Sequence, residues 1–316
     1  MPAFPHDPSQ PLVSIVIPTH ERPELLALSL SSAQAQSYKN IEIIISDNSV
    51  KTDARSVLAA QIESDPRVSY HKQVGGGPLD NWLNALSRAR GEYVNFLMDD
   101  DLFHPQKIER MLHYFTHFGQ IGLVTSYRQL IDEQGKELPQ LPGTEKMFET
   151  DTFIEGNKLA EYILKRGSNL IGEPTTAMIR RADIGDTFGR FCDKQYMVLS
   201  DLATWMEQLH GRHCVYISDA LSSFRIHQGQ DQRSKSTALN ANMEWLRLLC
   251  DGHKHGKYIL DEDEFRRLLS TKLSVYLPYL TGQYEELREG QYNIRALREL
   301  IDQALQMLFG DGKKSD

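Results

Sequence analysis

Over its first 130 residues the chain alternates compact β-branched runs with segments whose apolar positions recur at helical spacing. This is the grammar of βαβ units and a largely parallel sheet. Strands are expected at Val13–Ile17, Ile41–Ser46, Val68–His71, Tyr93–Leu97 and Ile121–Ser126, each closed by turn residues. Between them, Glu24–Ala35 follows Pro23 with leucines at 25, 26, 28 and 30, and Leu79–Arg90 carries Leu79, Trp82, Leu83 and Leu86. Pro105–Phe118 opens with proline at the first helical position and repeats Ile108, Met111, Leu112 and Phe115. Past Leu130 the pattern changes. Asp132–Gly135 reads as a turn, and Lys136–Asp151, with two prolines, as a long loop of the kind that commonly carries function. From Phe153 to Arg225 the pattern predicts a helix near Phe153–Lys165, a strand near Thr176–Ile179, a helix over Leu202–Leu209 and short strands near Val215 and Ser223. From Thr237 onward only helical periodicity remains, as in Phe265, Leu268, Leu269 and Leu273. The expected layout is an extension over 1–11, an α/β domain over 12–235 with halves at 12–130 and 131–235, and an α-helical region over 236–316.

Composition narrows the field. With 316 residues, 40% hydrophobic and 25% charged, the chain has the profile of a globular protein, which excludes disorder, collagen-like repeats and a disulfide-rich miniature fold. Lys and Arg number 35 against 43 Asp and Glu; the net charge of -8 repels phosphate polymers and argues against nucleic acid as a partner. Cys192, Cys214 and Cys250 are odd in number and lack CxxC spacing, which fits reduced thiols and a cytoplasmic address. Met1–Pro11 is polar and proline-rich, and no run approaches the ~18 apolar residues of a membrane span. Secretion and membrane spanning are disfavoured, while peripheral contact with the inner face of a membrane stays open.

In open α/β sheets ligands bind beyond the carboxyl ends of the strands, so the residues that follow each strand matter most. Here they are Pro18-Thr19-His20-Glu21-Arg22, Asp47-Asn48-Ser49, Gln73 to Gly77, and Asp99-Asp100-Asp101. No glycine-rich dinucleotide fingerprint follows the first strand, and Gly75-Gly76-Gly77 lacks the Gly-Lys-Ser/Thr of a phosphate loop. Three adjacent carboxylates resist ionising together unless a cation offsets them. Oxygen ligands suit Mg²⁺ or Mn²⁺, which take further ligands from water and substrate phosphates, so the tip reads as a holder for a diphosphate. The competing reading is a solvated turn that caps the helix at Pro105.

These motifs resemble a family 2 glycosyltransferase of the GT-A fold. Val13 to Arg22 is similar to its first strand and nucleotide loop, Ile43 to Ser49 to its second, and Gly91 to Pro105 to its acidic "DxD" strand. Ser200 to Gly211 and Phe224-Arg225-Ile226-His227 match further pieces in the same order, so the resemblance covers about Leu12 to Gln232. It implies a central, mainly parallel sheet with an α-helical C-terminal extension. It also implies inverting transfer of a sugar from a nucleotide-diphosphate donor to a glycan, lipid-linked or protein acceptor, with Mn²⁺ or Mg²⁺ as cofactor.

Carried over, Pro18, Thr19 and Glu21 would line the nucleotide pocket, with Asn81 beside them, and Asp47 would contact base or ribose. Asp99 would touch ribose or metal, and Asp100, Asp101 and His227 would be metal contacts. Asp201 would be the general base. Glu21 stands where the family usually has Asn, and no Arg precedes Asn81. Alignment on "DDL" makes Asp100 the principal ligand, whereas an extended backbone puts Asp99 and Asp101 on one face and Asp100 on the other. Ser200 or Asp201 alone also reads as a helix cap. Glu173, in a Glu-Pro turn, and Trp205 are acceptor-site candidates, with a structural turn and core packing as their alternatives. Leu-rich faces in the tail leave homo-oligomerisation through those helices open. A non-catalytic scaffold that keeps the fold, and a sugar-phosphate nucleotidyltransferase, are the rival functions.

Overall fold

The computed structural model describes residues 10–141, 143–227, 235–282 and 294–310. The first nine residues of the N-terminal extension, and Gln228 to Gln232 at the end of the stretch carrying the resemblance, lie outside them. The described chain divides into two compact units. One comprises Met1–Gly156, Asn169–Phe188 and Gln208–Gln228; the other comprises Asn157–Ser168, Gly189–Glu207 and Gly229–Asp316. The sequence layout divides the chain once, near 235; the compact units interleave, because chain segments 157–168 and 189–207 pack with the tail.

The first unit is built on a nine-stranded sheet. In chain order its strands are β1 (Val13–Thr19), β2 (Ile41–Asp47), β3 (Val68–Lys72), β4 (Tyr93–Phe96), β5 (Leu102–Phe103), β6 (Ile121–Ile131), β7 (Thr152–Glu155), β8 (Met178–Arg180) and β11 (His213–Arg225). β3, β2, β1 and β4 lie side by side and run parallel, with Val13 opposite both Ile41 and Tyr93. Helices α1 (Pro23–Gln34) and α4 (Pro78–Ser87) pack against β1, so it is enclosed on both faces and reads as an unbroken apolar run. Beyond β4 the sheet becomes mixed. β8 is antiparallel to β4 and β6, β11 is parallel to β6, and β5 and β7 are antiparallel to β11. The core gathers Ile15 and Ile17 of β1, Leu26 and Leu30 of α1, Ile43 and Ile45 of β2, and Ile108, Met111 and Phe115 of α5 (Lys107–His117).

Gly91 sets the approach of β4 to β1. Its N–H donates to Ser14 Oγ at 2.8 Å, and a Cβ there would stand 2.6 Å from Ser14 N and 2.8 Å from the Leu12 carbonyl oxygen. Only glycine fits that gap.

The short helices α2 (Ala54–Val57), α3 (Ala59–Glu63) and α7 (Arg181–Ile184), and the hairpin of β9 (Arg190–Phe191) with β10 (Lys194–Gln195), have no counterpart in the sequence reading. Phe153 falls in β7, and helix α6 begins at Gly156 and runs to Arg166. The strands expected near Val215 and Ser223 are one strand, β11, interrupted by register shifts around Ile217 to Ser222.

The second unit holds α8 (Ser200–Leu209) up to Glu207, with α9 (Lys235–Lys254), α10 (Glu262–Gly282) and α11 (Ile294–Phe309). Leu239, Leu280 and Leu297 join these last three helices in a small core. No helix among the described residues is long and apolar enough to cross a membrane.

Candidate active site

β1 and β4 are adjacent and parallel although β2 and β3 come between them in sequence, so their carboxyl ends mark the switch point at which open α/β sheets bind ligands. The loops that follow them are tied together. Thr19 Oγ1 donates to Asp99 Oδ2 at 2.7 Å, and Arg22 Nη1 stands 3.2 Å from Asp99 Oδ1 and 3.0 Å from Asp100 Oδ2. His227 Nε2 lies 2.9 Å from the same Asp100 oxygen. Residues 77 to 127 positions apart in sequence thus meet at one acidic tip. Burial and the neighbouring Asp100 charge push the Asp99 carboxyl up; the Arg22 guanidinium and the Thr19 hydroxyl pull it back in part.

The three carboxylates of the tip have different surroundings. Asp101 is fully buried. One oxygen accepts the Thr175 hydroxyl at 2.5 Å and the other the Arg225 N–H at 3.1 Å. Burial pushes its carboxyl well up, and the Asp100 charge adds to this. Lys107, also fully buried, donates to the Thr176 carbonyl at 3.0 Å, and burial pushes its ammonium well down. Asp101 thus anchors the tip from beneath, with both oxygens already engaged by the fold. Asp100 is the carboxylate that remains at the mouth, with His227 against it.

Fit to a divalent cation rests on that pair. One carboxylate and one imidazole converge, a donor set that suits Mn²⁺ or Mg²⁺ when water and diphosphate oxygens complete the shell. Among the described residues no group of three His, Cys, Asp or Glu side chains forms a ready cage. Asp100 and His227 would hold such an ion at two points, with the remaining ligands from outside the protein.

The expected nucleotide residues surround this tip, mostly in supporting roles. Glu21, at φ 56°, accepts the consecutive N–H groups of Val50, Lys51 and Thr52 at 2.6, 2.7 and 2.9 Å. The Lys51 N–H above all, with its neighbours, holds the Glu21 carboxyl down at about 2. Asp47 is fully buried. Its oxygens accept the Ser49 N–H at 2.7 Å, the Tyr70 hydroxyl, and Lys72 Nζ at 3.1 Å. Burial pushes its carboxyl up, but those bonds outweigh burial and the net shift is down. Asn81 is buried between the strand ends, donating to the Thr19 carbonyl at 3.0 Å and accepting from Ser46 Oγ at 2.6 Å. Pro18 is buried within β1. Pro18, Asp47 and Asn81 are thus held within the fold at the strand ends.

Glu173 pairs with Arg128, Nε to Oε2 at 2.8 Å, so its charge is already balanced. Trp205 is fully buried, the surroundings that its core-packing alternative expects. Asp201 sits in the first turn of α8, where its Oδ1 accepts the Leu202 N–H at 2.7 Å. Ahead of the helix, the Glu244 carboxylate receives the N–H groups of Met197, Val198 and Leu199 at 2.8, 3.0 and 2.7 Å. The lead-in to the helix is thus held by a residue of α9.

Arg22 and Arg225 are site residues to which the sequence reading gave no role. Arg225 is 1% exposed; its Nε donates to the Asp100 carbonyl at 2.8 Å and its Nη1 to the Asp132 carbonyl at 2.9 Å. The signal was their place inside the matched motifs, since a buried carboxylate cluster calls for cations nearby.

The family model described as glycosyl transferase family 2 matches residues 14–188, more than half of the chain. The chain belongs to this family. An uncharacterized glycosyltransferase of Rickettsia typhi is 31% identical over 238 residues, covering 74% of this chain and 69% of its own. A GalNAc(5)-diNAcBac-PP-undecaprenol beta-1,3-glucosyltransferase of Campylobacter jejuni is 39% identical over 93 residues, 29% of this chain and 30% of that protein. Four of the curated relatives are spanned over only 19% to 30% of their length. The crystal structure of S. aureus TarS 1-349 in complex with UDP-GlcNAc superposes with a TM-score of 0.65 at 18% identity, covering 92% of this chain and 81% of that one. At that identity the likeness shows the fold alone, and the fold of this glycosyltransferase is the GT-A type.

Proposed function

We propose that this glycosyltransferase moves a sugar from a nucleotide diphosphate to a hydroxyl of a glycan, lipid-linked or protein acceptor, inverting the anomeric carbon, with Mn²⁺ or Mg²⁺ at Asp100 and His227. The observation that carries the reading is the convergence of Asp100 and His227 at 2.9 Å on the mouth of the parallel strands, while Asp101 is consumed by the fold beneath. UDP sugars are the first donors to try, because the fold neighbour was solved with UDP-GlcNAc.

When bound, the cation stabilises the charge that develops on the departing diphosphate, so no protonating acid is required. The chain's own residues supply the rest. Thr19 and Arg22 fix the Asp99 carboxylate beside the mouth, and Glu21 holds the 50–52 turn that borders it. The proton of the attacking hydroxyl needs one carboxylate as acceptor, and Asp201, in the Ser200 to Gly211 stretch that resembles the family, is our candidate for that role. With UDP sugars and Mn²⁺, Asp201→Asn should lose turnover by ~100-fold or more while donor affinity stays within ~threefold. Normal turnover in that variant would remove Asp201 from the mechanism.

A further inference from the structure

The two carboxylates at the mouth already share a cation that belongs to the chain. Arg22 Nη1 bridges Asp99 Oδ1 at 3.2 Å and Asp100 Oδ2 at 3.0 Å, and this second oxygen is the one that faces His227 Nε2 at 2.9 Å. The atom best placed to hold a divalent ion is therefore engaged by a guanidinium. Side-chain exposures of 26% for Arg22, 5% for Asp99 and 12% for Asp100 keep the cluster poorly screened, so a second cation on the same oxygen would meet strong repulsion. Arg22 has a fixed backbone and a long side chain. It occupies the cap position ahead of Pro23, and its carbonyl receives the Leu26 N–H at 3.0 Å. A planar guanidinium matches phosphate oxygens as well as it matches carboxylates.

We propose that Arg22 is a resident counter-cation that exchanges with the divalent ion: it holds Asp99 and Asp100 together in the free protein, and transfers to the diphosphate oxygens when metal and nucleotide enter. The inference rests on the metal reading given above and adds the order of events. Metal alone competes with Arg22 and binds weakly. Metal and nucleotide together satisfy all charges, so each tightens the other by the same factor. Arg22 is in this sense a positioning residue.

The test is Mn²⁺ binding to the full chain, read by electron paramagnetic resonance without and with UDP, for wild type, Arg22→Gln, Arg22→Lys and Asp100→Ala. Thermal melts run alongside. UDP should tighten wild-type Mn²⁺ binding by ~tenfold or more. Arg22→Gln should bind Mn²⁺ alone ~tenfold more tightly than wild type and lose most of the UDP effect, with Mn²⁺ raising its melting temperature more than it raises that of wild type. Arg22→Lys, which keeps the charge, should retain weak binding of the metal alone.

If Arg22→Gln binds Mn²⁺ alone no better than wild type while Asp100→Ala loses the metal, the site reading stands and the exchange is refuted. If neither wild type nor Asp100→Ala binds Mn²⁺ even with UDP, the site reading itself fails and takes the exchange with it.

Discussion

Asp99, Asp100 and Asp101 are chemically identical, and their surroundings give them different work. Asp101 is enclosed with Thr175 and Arg225 as partners, so Asp101→Ala strands a hydroxyl and a backbone N–H in the core. The expected cost is about 3 kcal/mol of stability in denaturant titration, and less for Asp100→Ala, where Arg22 keeps Asp99 as its partner. Equal losses in the two variants would show that the division is wrong. Glu21 adds a pH dependence. Its folded pKa of about 2 lies below the ordinary 4.5, so its hold on the 50–52 turn is complete above about pH 4.5 and disappears as pH falls through about 2. Protection of the Val50, Lys51 and Thr52 amides against exchange, relative to their intrinsic rates, should fall across that window in wild type and be low at neutral pH in Glu21→Gln. Slow exchange in the variant would assign the turn's order to something else.

Strand β4 carries the acidic tip, and its seat beside β1 depends on Gly91. Gly91→Ala pushes a methyl into backbone atoms of Leu12 and Ser14 that cannot rotate away, and should cost about 2 kcal/mol in a thermal or denaturant melt. A neutral result would mean that the strands can separate there without loss.

The parallel strands and their helices were legible because they are long and enclosed, so that their apolar patterns are nearly pure. What escaped was short or long-range. β5 has two residues, too few for any period, and the register shifts in β11 break its alternation into what reads as two strands. Phe153 looked helical beside the apolar positions of α6, but it pairs with Val215 across a sheet edge. The site was legible as a set and opaque in its division of labour. That Asp101 belongs to the core is decided by Arg225, 124 residues away, and no local pattern encodes that meeting.

At the scale of the whole molecule, the proposed donor is an anion brought to a chain with net charge -8. On the proposed reading, a cation that enters with the ligand offsets this at the cluster of Arg22, His227 and the carboxylates. Rivals to the enzyme reading separate here: a scaffold has no need of nucleotide, and a nucleotidyltransferase would require a basic glycine-rich loop that Gly75 to Gly77 do not supply. The most direct measurement is calorimetric titration of UDP and UDP-GlcNAc into wild type and Asp100→Ala, each with and without Mn²⁺. Binding that depends on Mn²⁺ in wild type and vanishes in the variant is the predicted result. Binding that ignores both the metal and the substitution would contradict a cation grip at Asp100.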